Sequence, residues 1–193
     1  MTLAFSPIAR ATGLVLLAAL TSLSAQAQQK LLLAQSEVVF IIKQMGVPVE
    51  GHFKKFDAQI TLDPAKPETG KIAFTVDIAS ATMGSPEPDA ELPKATWFNT
   101  AKFPQATFQS TSIKGLGGGK FEVTGKLAIK GNTRDALVPV TLVQNGAATT
   151  ATGVVSIKRL AFKIGENEWA DTSMVADDVQ VKFKLALTGV GKF

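Results

Sequence analysis

The chain has 193 residues, of which 46% are apolar and 19% are charged, and its formal net charge is +4. It has no cysteine, which excludes disulfides, thiolate metal ligands and a cysteine nucleophile, and its single histidine, His52, excludes a multi-histidine metal site. The length predicts one domain, and the scarcity of catalytic side chains predicts a protein that is not an enzyme and needs no metal or cofactor.

The N-terminus has the pattern of a secretory signal peptide over residues 1–27. Arg10 precedes an apolar run at 11–20, and the A-x-A arrangement at 25–27 predicts cleavage before Gln28. The alternative is a short membrane anchor, but a bilayer span needs about twenty residues, which this run does not supply. We therefore expect a mature domain of residues 28–193, with net charge +3, in a bacterial periplasm; secretion beyond it stays open.

Alternation of apolar and polar residues dominates the mature chain and predicts about eight antiparallel strands. Turn residues separate the strands, and residues 84–103 predict a long loop with a short helix near 89–92. An all-β domain of this kind is a sandwich or a closed barrel, and the pattern alone leaves both open. The predicted strands lie at 36–42, 47–62, 72–78, 105–114, 121–129, 138–142, 153–157 and 179–187.

Two positions predict local irregularities in these strands. Phe53 and Phe56 have opposite parity, so a bend near Lys54 and Lys55 is needed if both rings point inward. Pro139 has no N–H to donate, so its strand should be locally unpaired there or lie at a seam.

The inward faces combine bulky and small residues. Gly125, Ala151 and Gly153 would leave volume opposite Phe74, Phe108 and Phe183, in which a linear apolar molecule would fit. Ordinary close packing, with the glycines serving as bends, is the alternative. A long hydrocarbon suits such a space, because each buried CH₂ contributes about 0.8 kcal/mol.

Five short segments of the mature chain, in order, carry a family resemblance. They are S-x-V-x-F-x-I at 36–42 with V-x-G-x-F-K-K-F at 49–56, W-F-N at 97–99 with F-P-x-A-T-F-x-S at 103–110, V-T-G-x-L-x-I-K-G at 123–131 with Thr133, R-x-x-F at 159–162, and D-D-V at 177–179. In these segments the chain resembles the YceI family, the lipocalin-like polyisoprenoid-binding proteins of the bacterial periplasm. The resemblance covers residues 36–187 and implies an eight-stranded antiparallel β-barrel whose apolar interior binds a long isoprenoid or another lipid-like chain, without catalysis.

Alternation and resemblance together predict a binding site in the barrel interior. We expect a mouth or lid formed by Met83, Leu92, Trp97 and Phe98. The predicted wall residues are Phe40, Ile42, Phe74, Val76, Ile78, Phe108, Leu127, Ile129, Val140, Leu142, Val155, Ile157, Val181, Phe183 and Leu185.

The first hypothesis is a periplasmic carrier that holds a polyprenyl chain, an isoprenoid quinone or a fatty chain. The second is a structural or stress-response partner protein with a filled barrel and no ligand. A third, a hydrolase that uses His52, has little support, because no nucleophile-elbow motif is present. Beyond a hydrophobic ligand, we expect no nucleic-acid partner and at most peripheral membrane contact, and a homodimer stays open.

The remaining charged residues favour structural roles. Asp177 and Asp178 are more typical of a solvated turn than of a cation site, and the glycine-rich segment at 115–119 predicts a flexible hairpin. Arg159 favours a structural ion pair over contact with a ligand head group. The strand lysines Lys126, Lys130, Lys182 and Lys184 are predicted to face outward.

Overall fold

A computed structural model describes residues 29–193. The predicted signal peptide lies outside this range, so its cleavage stays a prediction. Within 29–193, no helix has the length and hydropathy that crossing a membrane requires. The one α-helix in this part of the chain, α1 (Pro86–Glu91), lies in the predicted loop at 84–103 and begins with a proline, which suits the first helical position.

Eleven strands of the described chain pair into one antiparallel sheet. The prediction of an all-β fold is confirmed, but the count of eight strands is too low, because the predicted strand at 47–62 divides into two and two two-residue strands pair with longer ones at 47–53 and 175–188. The strands are β1 (Lys30–Leu31), β2 (Glu37–Gln44), β3 (Val47–Phe53), β4 (Phe56–Thr61), β5 (Lys71–Asp77), β6 (Ala81–Thr82), β7 (Gln105–Gly117), β8 (Lys120–Ile129), β9 (Asn132–Asn145), β10 (Ala148–Lys158) and β11 (Val175–Thr188).

The sheet curls so that its two ends meet. The strand order is β4-β5-β7-β8-β9-β10-β11-β2-β3-β6, with β1 paired to β11, and β3 and β4 are joined directly by the two-residue bend at Lys54 and Lys55. The N–H of Lys54 donates to the carbonyl of Ser80 at 3.2 Å, and the N–H of Lys55 donates to the Ser80 hydroxyl at 2.9 Å. The bend that the parity of Phe53 and Phe56 predicted is therefore confirmed.

A side chain bridges the free edge of β4 at its other end. The N–H of Leu62 donates to Oε1 of Gln29 at 3.0 Å, and Nε2 of Gln29 donates to the carbonyl of Leu62 at 2.5 Å. The carboxamide thus pairs with the backbone as a neighbouring strand would, which satisfies two main-chain groups at an edge.

The ladder between β9 and β10 stops at the pair Gly153–Val140. The next residue of β9 is Pro139, which still pairs with Glu122 of β8 but has no N–H for β10. The predicted irregularity at Pro139 is confirmed on the β10 side. From this point the two strands run without paired residues toward the end of the barrel that carries residues 83–103 and 159–170, which we call the lid end.

Phenylalanine rings fill the spaces that the inward glycines leave. A methyl group on Gly51 would overlap the ring of Phe40, and one on Gly153 would overlap the ring of Phe183. The expectation that Gly125 and Gly153 leave room for a ligand is therefore wrong at these two positions, because a phenylalanine ring lies against each of them, as in the aromatic rescue of sheet glycines. The three pairs are Phe40–Gly51, Phe108–Gly125 and Phe183–Gly153.

Candidate ligand-binding site

The buried core of the described chain is divided into two clusters rather than one. The first packs Leu142, Leu185 and Leu187 with their neighbours at the far end of the barrel, and the second packs Trp97 and Phe162 with their neighbours at the lid end. A self-filled domain usually has one contiguous core, so this division indicates that the middle is not closely packed. Four partly buried residues touch both clusters and form the belt between them: Phe53, Phe56, Phe74 and Val181.

A cavity of about 230 Å³ occupies the interior and extends along both clusters. Its accessible wall is wholly apolar. An apolar cavity of about 150 Å³ can stay dry and bind benzene, and the larger space in this barrel has room for about eight carbon-sized groups at roughly 30 Å³ each. The site can therefore accept an apolar chain without desolvating a polar group.

All nineteen of the predicted site residues line this one cavity. The fifteen wall residues come from seven strands and the 3₁₀ turn at Ile78, and the four predicted mouth residues lie at the lid end. The structure thus brings the predicted set together around one space.

One section of the wall was not predicted from the sequence. Ala58, Ile60 and Leu62 of the β4 segment line the cavity together with Ile72 of β5. The alternation of apolar and polar residues at 56–62 would have identified these wall residues. The prediction of a single strand over 47–62 hid them, because the alternate residues that face the interior change from odd-numbered to even-numbered positions at the bend. The other wall residues not predicted are Val38, Gln44, Phe53, Ala106, Ile113, Phe121, Val123, Ala136, Val138, Ala151, Arg159, Ile164, Val179 and Leu187.

Arg159 does not form the ion pair that the sequence favoured, because no carboxylate of the described chain lies within ion-pair distance of its guanidinium. Its side chain is 1% exposed and donates to five backbone carbonyls, and two of these, on Trp169 and Val175, lie 2.6 and 2.7 Å from Nη2. Burial lowers the pKa of the guanidinium, and the nearby charge of Asp177 opposes this. The remaining three bonds go to Ala176, Ile164 and Gly165 at 2.9–3.0 Å.

Lys130 is buried, which corrects its prediction as an outward strand residue. It follows the last residue of β8 at a positive φ of 48°, where the chain turns rather than alternates. Its ammonium group donates to the carbonyls of Ala95 and Lys163 at 2.7 and 2.5 Å and to a carboxylate oxygen of Glu166 at 2.9 Å. Lys130 therefore ties both lid segments to the β8–β9 turn.

Asp89 ties α1 to the barrel. Its carboxylate accepts from the Thr82 hydroxyl at 2.5 Å and from the N–H of Met83 at 2.6 Å. These hydrogen bonds, led by the one from Thr82, lower the pKa of Asp89. The helix that carries Leu92 toward the cavity is thus fixed to β6 through one side chain.

The residues considered for catalysis or cation binding do not form a site in the described chain. His52 lies on the surface, with Nε2 3.5 Å from a Glu50 oxygen. Asp177 accepts from the N–H of Leu160, and Asp178 pairs with Lys158 at 2.8 Å. Both aspartates lie within β11 rather than in a turn, because the strand begins at Val175. Among residues 29–193 no cluster of three or more potential metal ligands is found.

A curled antiparallel barrel with an apolar interior beneath a lid is the architecture of lipocalin-like binding proteins. The YceI-like domain family matches this chain over residues 30–187, so the chain belongs to that family. The predicted family resemblance is confirmed, and the family has a binding-protein fold.

Four known proteins illustrate the relationship. Protein YceI of Escherichia coli O157:H7 is 36% identical over 110 residues, and this chain spans 57% of its length, as it does for the Azotobacter vinelandii relative. The crystal structure of Burkholderia cenocepacia BcnA is 49% identical, with a TM-score of 0.79 over 81% of this chain and 99% of that one. A polyisoprenoid binding domain from Saccharophagus degradans, implicated in plant cell wall breakdown, shares the fold at 16% identity, with a TM-score of 0.66 over 83% and 98%.

Proposed function

We propose that this protein is a carrier that holds one isoprenoid or other lipid-like chain inside its barrel and shields it from water. The observation that carries the proposal is the wholly apolar cavity that extends along two separately packed clusters. An empty cavity of this size destabilises a fold, so its presence favours an interior built for a ligand rather than for self-packing.

The proposed ligand class rests on the apolar chemistry of the cavity wall and on the similarity to a known polyisoprenoid binding domain. A wall without polar groups suits a hydrocarbon chain, whose burial contributes about 0.8 kcal/mol per CH₂. The Saccharophagus degradans domain is described as polyisoprenoid binding, and we carry this class over to the present chain as a proposal.

We also propose that the carrier works in the periplasm. Support comes from the signal-like pattern at 1–27 and from a domain that has no cysteine and so is indifferent to an oxidising compartment. Fractionation of the source bacterium with N-terminal sequencing tests this. We expect periplasmic protein beginning at Gln28, and an uncleaved cytoplasmic chain would contradict the assignment.

Affinity for ligands of increasing length tests the carrier proposal. Lipid-extracted protein is titrated with linear prenols of one, two, three and more isoprene units. We expect affinity to rise with each added unit while the cavity fills, since each buried CH₂ adds about 0.8 kcal/mol. The absence of binding at every length would favour the alternative of a filled barrel that acts through its outer surface.

A further inference from the structure

Two irregular segments face each other across one seam of the barrel wall. On one side of the seam, the 3₁₀ turn Leu33–Gln35 separates β1 from β2. On the other side, the bend at 54–55 separates β3 from β4. Both neighbouring chain paths therefore leave sheet geometry at the same level of the barrel, and residues from both sides line one groove there.

No main-chain ladder closes the seam at this level. The pairing of β2 with β3 ends at Val39–His52, and the next hydrogen bonds across the seam within residues 29–193 are those of the carboxamide bridge to Leu62 at the far end. The antiparallel register of the last pair places Val38 opposite Phe53. Two side chains, rather than two paired backbones, therefore close the wall at this point.

A surface groove of about 370 Å³ lies over this gap. It is lined by residues of the segments 33–38 and 52–56 and by Thr82, and Leu33 in its wall is 54% exposed. Val38 and Phe53 line both the groove and the interior cavity, and in the described chain they are the only residues that do so. The groove and the cavity are therefore separated by these two side chains.

Phe53 is the more movable of the two. Val38 is 2% exposed, packs in the far-end cluster and has a β-branched side chain with little rotational freedom. Phe53 is partly buried in the belt, with its ring centre 5.1 Å from that of Phe40 and 6.4 Å from that of Phe98. Rotation of this ring toward the groove breaks aromatic contacts but no hydrogen bond, and it joins the groove to the cavity.

Opening the lid end would break many more contacts. Lys130 makes three hydrogen bonds that tie both lid segments, and Arg159 makes five to carbonyls at 164–176. The carbonyl of Thr96 in the first lid segment also accepts from the N–H groups of Gly165 and Glu166 in the second, at 2.8 and 2.9 Å. Each of these bonds stabilises the closed lid, and those from charged groups are the strongest.

The far end is closed by packing. Leu187 and Val190 are 3% and 8% exposed and belong to the far-end cluster, and the carbonyl of Val190 accepts from Nε2 of Gln144 at 3.2 Å. A passage at this end would expose these buried apolar side chains to water. Among the three routes through the described chain, the seam is the one that opens by a side-chain rotation.

We propose that the ligand enters and leaves the barrel sideways through the groove, with Phe53 as the gate, while the lid end stays closed. The inference rests on the proposed carrier function and specifies the route by which the chain reaches the cavity. A linear chain suits this route, because it passes through an opening of about one side chain and then extends along both clusters. Phe53 thus sets the rates of binding and release.

Blocking the groove tests the route. The chain has no cysteine, so Lys54→Cys provides a single thiol for biotin maleimide, to which streptavidin is then added. Lys54 lines the groove but not the cavity. Stopped-flow fluorescence of cis-parinaric acid, a linear polyene fatty acid, measures association and release in lipid-extracted protein. We expect streptavidin to slow both rates at least about tenfold and to leave Kd unchanged, because a blocked route acts equally in both directions.

The matched control is Lys126→Cys with the same label. Lys126 lies on β8, its side chain is 55% exposed, and it lines neither the groove nor the cavity. The substitution removes the same charge, and streptavidin there should leave both rates unchanged. Equal slowing at Lys54→Cys and Lys126→Cys would mean that streptavidin does not act by covering the groove, and would overturn the inference.

Removing the gate ring provides the second measurement. Phe53→Ala should raise the association rate about tenfold, since contacts with Phe40 and Phe98 no longer have to break. Phe74→Ala is the matched control, because that ring also touches both clusters and lines the cavity but not the groove; it should weaken binding without faster association. Should Phe53→Ala fail to fold, the labelled Lys54→Cys protein still decides the question.

Loosening the lid distinguishes the two routes. Glu166→Ala removes the carboxylate that pairs with Lys130, and we expect the association rate to stay that of the parent. Faster association in Glu166→Ala, together with unchanged rates when streptavidin covers Lys54→Cys, would place the route at the lid end and leave the carrier function intact. A parent that binds prenols but not parinaric acid would contradict a side entrance for linear chains. Failure to bind either would refute the carrier function and this inference together.

Discussion

Enlarging one residue at the middle of the barrel tests whether the interior holds usable space. Val181 lies on β11, touches both core clusters and lines the cavity. Val181→Phe adds four carbon atoms at the belt between the clusters. We expect this variant to be more stable than the parent when both are free of lipid, and to bind prenols more weakly.

The magnitude follows from the cavity volume. At about 24 cal/mol per Å³, an empty space of 230 Å³ costs about 5 kcal/mol. Four added carbons occupy about half of it at roughly 30 Å³ per carbon-sized group, and imperfect fit reduces the gain, so we expect Val181→Phe to raise the free energy of unfolding by about 1–2 kcal/mol. In a closely packed interior the same substitution would instead lower it by about 1–3 kcal/mol.

Urea unfolding of lipid-extracted protein shows directly whether Val181→Phe raises or lowers the free energy of unfolding. The matched control is Val175→Phe, at a valine of the same strand that is 3% exposed and does not line the cavity. We expect the control to be destabilised by about 1–3 kcal/mol, as overpacking predicts. Equal destabilisation of Val181→Phe and Val175→Phe would refute the reasoning, because it would mean that the middle of the barrel has no more room than its packed end.

Three further predictions concern single side chains. Arg159→Lys keeps the charge but has only three donors for the five carbonyls, so urea unfolding should show a loss of about 2–5 kcal/mol; wild-type stability would contradict the role of the five bonds. Because the folded-state pKa of Asp89 is lowered, its stabilising contribution should be complete above about pH 4 and lost as the pH falls through that lower pKa. Tm should therefore fall less steeply with decreasing pH in Asp89→Asn than in the parent, and identical dependences of Tm on pH in the two proteins would rule this out. Phe183→Asp places a charge in the apolar cavity and should abolish prenol binding or unfold the protein. The free energy of unfolding of Lys184→Ala should stay within about 0.5 kcal/mol of that of the parent, because its side chain faces outward. Equal losses in the two variants would mean that the inward and outward faces of this strand are wrongly assigned.

Alternation predicted which strand faces form the wall, because a period of two fixes the orientation of each side chain once one face is buried. Val181, Phe183 and Leu185 line the cavity as their parity requires, and Lys182 and Lys184 alternate with them. The two-residue bend after Phe53 was visible for the same reason, since opposite parities on one strand cannot both face inward.

Features that depend on distant contacts were not predictable from local pattern. Lys130 has the parity of an exposed strand residue, but the chain turns at this position and its ammonium group meets carbonyls from two lid segments. Arg159 likewise depends on carbonyls at 164–176, whose positions a sequence pattern does not reveal. That Phe183 lies across Gly153 depends on cross-strand register, which alternation alone does not specify.

The central claim is that the barrel carries a lipid-like chain. Native mass spectrometry of protein purified from its own host, with lipid extraction of the same sample, tests it most directly. We predict a species heavier than the mature polypeptide by one hydrophobic molecule, which extraction removes and an added prenol replaces. A bare polypeptide mass in repeated preparations, together with no uptake of the prenol, would contradict the claim.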